Sequence, residues 1–310
     1  MPFRPARREP PVDLDDLKDA IPHRSPIQPQ RLGPDSEIRF DCHPGMPCFN
    51  ACCRHSEVTL TPYDILRLKR RLGLTAGEFV ARYTVPFEMD HHGLPGLRLA
   101  VREGGACVFL GEDGCGVYED RPVACRYYAL GSLALRRKGE RTVEEVYFLV
   151  REPHCQGHEA PRRLTVRQYR REQGIEPYDE ANRAWQEILL KKRSSGPTVG
   201  KPSERSLQLF DMCSYDMDRF AAFIQSDGFR RLFALSDDEL AALLADEEQR
   251  LAFAMRFLKQ VLFGEHSIPL RPDAREARIA ERRAVWQRRR EAEIARRRAA
   301  EAAQGEEEGD

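Results

Sequence analysis

Apolar positions along this chain change period several times, and each change predicts an element. Residues 1–36 show no apolar period, only proline and charge, and read as a disordered arm. Residues 57–60 are short and extended. The run LTPYDILRLKRRLG then predicts a helix, with Thr61 as N-cap, Pro62 at the first helical position, Asp64 two residues later and Gly73 at the end. A second helix starts near Thr75 and carries Phe79, Val80 and Tyr83. Residues 97–102 alternate apolar and charged side chains, as a half-buried strand does. Residues 132–137 and 142–150 predict two strands joined at Lys138-Gly139. A loop follows, then a helix capped by Thr165 with Gln168 three residues on and Gly174 at its end. Residues 182–192 predict one more helix, centred on Trp185.

Residues 194–204 (SSGPTVGKPSE) have linker composition. Beyond them Leu207, Phe210, Met217, Phe220, Phe223 and Ile224 recur near helical spacing, and 237–244 and 250–263 continue in that style. Such a stripe reads as core in preference to a partner's groove. The expected organisation is an arm over 1–36, a cysteine-cluster domain over 37–193, the linker, a helical subdomain over 205–270 and a charged helical or disordered tail over 271–310. The expected fold class is α+β and helix-rich: an irregular, cysteine- and metal-stapled core with a small antiparallel sheet, plus the C-terminal helical subdomain.

Charge narrows the partners. Lysine plus arginine equal aspartate plus glutamate at 50 each, so no global field draws in nucleic acid or an anionic membrane. The tail carries eleven arginines against five acids over 271–298, but almost no aromatic residues to stack bases, and the acids of 299–310 offset it. Nucleic acid is therefore not the expected partner; an unidentified protein partner stays open. No run approaches the roughly 18 apolar residues of a membrane span, and MPFRPARREPP lacks the apolar centre of a secretory signal. The expected location is cytoplasmic, where thiols stay reduced. Cysteines there are metal-ligand or redox candidates before they are disulfide candidates.

Seven of the nine cysteines lie in two islands: Cys42, Cys48, Cys52 and Cys53, then Cys107, Cys115 and Cys125. Cys155 follows, and Cys213 sits apart on an amphipathic stretch, where it reads as a buried thiol. Neighbours such as Cys52 and Cys53 have Cα atoms about 3.8 Å apart, short of the roughly 4.4–6.8 Å of an unstrained disulfide. Cys48 and Cys52 have the short spacing of metal knuckles. Gly104, Gly105, Gly111, Gly114 and Gly116 let backbone N–H groups approach the sulfurs of the second island, with Phe109, Leu110 and Val117 as a dry wall. Arg121 and Arg126 flank Cys125, where they would offset the charge of about −2 on a tetrathiolate zinc or oxidised four-iron site. Ordinary surface ion pairing is their alternative. His91 and His92 sit in a polar loop and are more ordinary as surface residues than as a ligand pair; His154 and His158 bracket Cys155, where one of them could support the ligands from behind, and His55, after the first island, is a weaker candidate.

The run F-x-C…C-x3-CC, then V-x-L-T-x-x-D, then C-x-F-L…C-x-V-Y-E-x-R-P-x-x-C-R resembles the YkgJ-type cysteine-cluster family, described as a zinc- or iron-chelating domain with a CxxCxxCC core. The resemblance runs from Phe40 to about Cys125 and more weakly through Cys155. It implies Cys42, Cys48, Cys52, Cys53, Cys107, Cys115, Cys125 and Cys155 as metal ligands. Cys42 and Cys48 are separated by HPGMP where the family has two residues, which leaves His43 as an alternative to Cys42. Zinc and iron–sulfur clusters both accept four cysteines. A similar cysteine core in flagellin lysine methylases, described as iron–sulfur proteins, tilts the resemblance toward iron. Three function classes follow: a cytosolic metal-binding protein with a redox or accessory role, an iron–sulfur-dependent protein-modifying enzyme of lysine-methylase type, and a zinc-stapled interaction module.

Overall fold

Local capping chemistry sets the first helices. In the computed structural model, which describes residues 30–54, 57–90, 93–136, 143–194 and 203–274 and the isolated positions 276, 287 and 291, Thr61 caps helix α1 (Pro62–Leu72). Its hydroxyl accepts from the Asp64 N–H while the Asp64 carboxylate accepts from the Thr61 N–H, and Gly73 closes the helix at φ 65°. Thr75 and Glu78 repeat the reciprocal cap on α2 (Ala76–Tyr83). Thr165 and Gln168 do so on a later helix (Val166–Glu172). The expected caps at Thr61 and Thr165 are both present with these partners.

Described by contacts, the chain divides into two compact units at Asp216–Met217. In the first, β1 (Glu37–Arg39) is the opening strand. Strand β2 (Thr59–Leu60), β3 (Thr84–Glu88) and β4 (Pro95–Leu99) form an antiparallel sheet in the order β2-β4-β3. The strand expected over 97–102 thus begins and ends earlier; Val101 makes only an isolated bridge to Cys107. Strand β3 was not among the expected elements. Strands β5 (Leu110–Gly111) and β6 (Gly114–Cys115) form a minimal hairpin. A short helix, α3 (Val123–Tyr127), follows.

The expected hairpin is β7 (Leu130–Arg136) against β8 (Val143–Leu149). Its Lys138-Gly139 turn lies outside the described residues. Strand β9 (Arg163–Thr165) returns to pair with β1, Glu37 opposite Thr165. It leads directly into α4 (Val166–Glu172) and then α5 (Glu176–Ser194). Helix α5 starts six residues before the expected 182, because Pro177 falls in its first turn, where a missing N–H costs nothing. Helix α6 (Glu204–Tyr215) ends the unit, capped by Ser203. Phe40, Leu130, Tyr147, Val166, Tyr169 and Ile175 belong to one buried cluster, against which Cys155 packs.

The second unit holds α7 (Met217–Gln225), α8 (Asp227–Leu232), α9 (Asp237–Ala245) and α10 (Glu247–Phe263). Ser226, Ser236 and Asp246 cap α8, α9 and α10. Arg250, buried, gives the last carbonyls of α9 their donors, reaching Leu243 O at 2.8 Å and Leu244 O at 3.1 Å. The architecture is helix-rich α+β with small antiparallel sheets. No helix among the described residues is long and apolar enough to cross a membrane. Of the arm expected over 1–36, residues 1–29 lie outside the described residues, while in 30–36 Leu32 is buried and bridges Tyr147. Residues 195–202 of the linker expected over 194–204, and nearly all of the tail, also lie outside them.

Candidate metal centre

The first island folds as a series of tight turns. Met46 N bonds His43 O, Phe49 N bonds Met46 O, Ala51 N bonds Cys48 O and Cys53 N bonds Asn50 O, all at 2.9–3.1 Å. Asn50 takes φ 65°, a left-handed conformation that asparagine tolerates. The turns end in the single 3-10 turn Cys52–Arg54, which leaves Cys52 Sγ and Cys53 Sγ 4.0 Å apart. Gly114 lies against Asn50; at φ 117° it has a backbone that only glycine adopts readily, and a Cβ there would meet Asn50 Nδ2 at 3.3 Å.

Hydrogen bonds stitch the remaining cysteines to this turn. Cys107 N donates to Cys53 O at 2.7 Å, and Leu110 N donates to Cys107 O at 3.1 Å. Leu110 in turn pairs with Cys115 across β5–β6. On the other side Gln156 N donates to Cys48 Sγ at 3.3 Å, and Asp41 N donates to Gly157 O at 3.1 Å. A Cβ at Gly157 would stand 2.6 Å from Asp41 O, so only glycine lets the Cys155 loop lie this close to Cys42. Cys125 rides on α3, whose first turn is held by the buried Asp64: Val123 N donates to Asp64 Oδ1 at 2.8 Å.

These segments bring Cys42, Cys48, Cys52, Cys53, Cys107, Cys115, Cys125 and Cys155 onto the wall of one cavity of about 370 Å³. Cys213 is buried in α6 and does not line it. Phe40, Phe49, Val58, Phe109, Val117 and Tyr169 supply apolar wall. Leu110, expected in that wall, is buried behind it. Backbone N–H groups already address the sulfurs: those of Phe109 and Leu110 face Cys107, that of Val117 faces Cys115 and that of Gly157 faces Cys155. Soft thiolates with N–H donors behind them suit zinc or an iron–sulfur cluster. Among the described residues, no three His, Cys, Asp or Glu side chains are drawn to the spacing that a single ion takes.

Crowding of thiols in an apolar wall raises their pKa values. Burial, then the charges of Cys52, Cys48 and Cys155, pushes Cys42 up to about 11. Burial likewise raises Cys125, with Cys107 the next largest influence. Cys52 and Cys53, with sulfurs 4.0 Å apart, move in opposite directions: their mutual side-chain contact lowers Cys52 and raises Cys53. A cation entering the cavity relieves this repulsion and displaces the protons.

The two arginines take different places. Arg121 lines the cavity, where its charge acts to lower Cys115. It is held by Tyr118 O and Gln173 Oε1, each at 2.8 Å, with its guanidinium 4.0 Å from the Tyr118 ring centroid. Arg126 does not line the cavity. It is buried among acceptors, with Nε to Arg121 O at 3.0 Å, Nη1 to Gln173 O at 2.8 Å and Nη2 to Glu119 O at 2.6 Å, over the Tyr178 ring. Neither is a surface ion pair: both are buried.

His154 lines the cavity beside Cys155 and forms, with Tyr128 and Glu152, a polar group that sequence reasoning missed. Tyr128 OH donates to Glu152 Oε2 at 2.7 Å and lies 3.2 Å from His154 Nε2. Nothing in the spacing of these residues announces it, because a β-hairpin separates Tyr128 from the other two. His158 turns away, its Nε2 2.9 Å from Val150 O and its ring edge-on to Phe40. His43 is exposed and its Nδ1 accepts from Gly45 N at 3.1 Å. His55, His91 and His92 lie outside the described residues.

Comparison with known proteins bears on the same segment. Residues 41–156 match the CxxCxxCC family model, described as "Putative zinc- or iron-chelating domain", and all eight cavity cysteines fall within the match. No curated protein and no solved structure matches the chain.

Proposed function

We propose that this chain, whose residues 41–156 match a domain described as zinc- or iron-chelating, is an iron–sulfur protein with a redox or accessory role. The observation that carries the reading is the convergence of eight thiols on one largely apolar cavity of about 370 Å³. Water occupies about 30 Å³ per molecule in the liquid, so the space equals roughly a dozen waters. A lone ion with bonds of about 2.3 Å to sulfur leaves most of such a cavity unused, whereas a multi-iron cluster fills much more of it. Bound there, a cluster supplies one-electron transfer at a potential set by its surroundings.

The chain's own groups supply those surroundings. Phe109, Val117 and Tyr169 place apolar surface beside the sulfurs. The N–H groups of Phe109, Leu110, Val117 and Gly157 stabilise thiolate charge, as does the Arg121 guanidinium beside Cys115. Each favours the deprotonated sulfur that a metal requires.

The test is metal and acid-labile sulfide content, with an absorption spectrum, on protein purified without oxygen. Iron and sulfide in equal amounts, with absorbance near about 400 nm that falls in Cys52→Ser or Cys125→Ser, is the expected result. Zinc without sulfide would replace the redox reading with a structural staple. Nine free thiols and no metal would end both.

A further inference from the structure

The eight cavity cysteines are not evenly connected. On one side, the Gln156 N–H to Cys48 Sγ bond and the Asp41 N–H to Gly157 O bond tie the segments of Cys42 and Cys48 to the loop of Cys155. On the other, the Cys107 N–H to Cys53 O bond and the Leu110–Cys115 pairing tie Cys53, Cys107 and Cys115 together, and Cys125 comes in on α3. Cys52 and Cys53 stand between the two sides on one turn, sulfurs 4.0 Å apart.

We propose that the cavity holds two separate four-sulfur metal centres, Cys42, Cys48, Cys52 and Cys155 framing the first and Cys53, Cys107, Cys115 and Cys125 framing the second. The proposal rests on the thiolate metal-binding reading and adds the number of centres and the ligands of each.

The assignment of Cys52 to the first centre follows from Cys53 being bound through its backbone to Cys107. Four soft ligands complete a tetrathiolate zinc site or a four-iron cluster, so neither side needs a ligand from the other. The adjacent cysteines then serve as a hinge pin between centres.

The test is stoichiometry on the full chain, reconstituted without oxygen with ferrous iron and sulfide and, separately, with zinc. The expected wild-type content is about eight irons and eight sulfides, or about two zinc ions, per chain. Cys155→Ser and Cys125→Ser should each halve it, and the double variant should abolish it. Cys42→Ser and Cys107→Ser should repeat the halving, which guards against one variant that fails to fold. A wild-type content of one centre overturns the proposal while leaving metal binding intact. So does loss of all metal in either single variant whose circular dichroism is unchanged. A wild-type chain that takes up neither metal overturns the underlying reading as well.

Discussion

In the helical unit after Asp216, Phe220, Phe223, Phe229, Phe233, Phe253 and Phe257 meet ring against ring at centroid distances of 4.5–6.3 Å. The unit before it surrounds its cavity with thiols and backs them with buried arginines and tyrosines. The helical unit has no cysteine, and its helices α8, α9 and α10 carry side-chain caps. The other has strands as short as two residues, and its loops are fixed by hydrogen bonds between residues far apart in sequence. The first kind of core is complete once its apolar surface is covered. The second keeps eight thiols facing a common space, so its cohesion depends on what neutralises them.

Removing metal should separate the two most. With a chelator and a reductant, amides in 41–156 should lose hydrogen-exchange protection while those of α7 and α10 keep theirs. The affected segment forfeits on the order of 10 kcal/mol of binding free energy. Equal loss in both units would erase the contrast. Next in size is Phe257→Ala, which should destabilise the helical unit by about 3–5 kcal/mol in denaturant unfolding. Metal content should not change.

Asp64→Ala tests how the cysteine unit replaces apolar contact. It leaves the Val123 and Thr61 N–H groups without their acceptor and should cost about 2 kcal/mol. Faster metal release should accompany it, because α3 carries Cys125. Burial raises the Asp64 carboxyl from 3.8 to about 6. The folded chain therefore holds this proton where the unfolded chain has lost it. That contribution to stability is full below pH 4 and is lost as pH rises through 6. Metal-free protein should show this fall in its melting temperature, and Asp64→Asn should flatten it. Smallest are the caps: Thr165→Ala and Ser236→Ala should each cost about 1 kcal/mol, one in each unit.

The same contrast explains what was legible in the sequence. The caps at Thr61 and Thr165 were legible because donor and acceptor lie three residues apart. The cysteines were legible by their chemistry and by the family resemblance. Which of them stand together was not, since it depends on Gln156 meeting Cys48 and on Cys107 meeting Cys53. Strand β3 escaped because Pro86 interrupts it and because it pairs on one side only, with β4. The Tyr128–Glu152–His154 group escaped because its members meet only after β7 and β8 have paired. Arg126 looked like a cation for the metal and instead anchors carbonyls, a difference that flanking position alone cannot reveal.

The pairing of β1 with β9 sets an order of events during synthesis. Ribosomes release the chain from its N-terminus, so Cys53, Cys107, Cys115 and Cys125 are all available once residue 125 has emerged. Strand β1, which ends three residues before Cys42, waits for β9, with Glu37 opposite Thr165. Closing so long a loop is entropically costly, and the cost is met only when both strands exist. The side of the cavity that contains Cys42 and Cys155 is therefore the last to be assembled on a nascent chain.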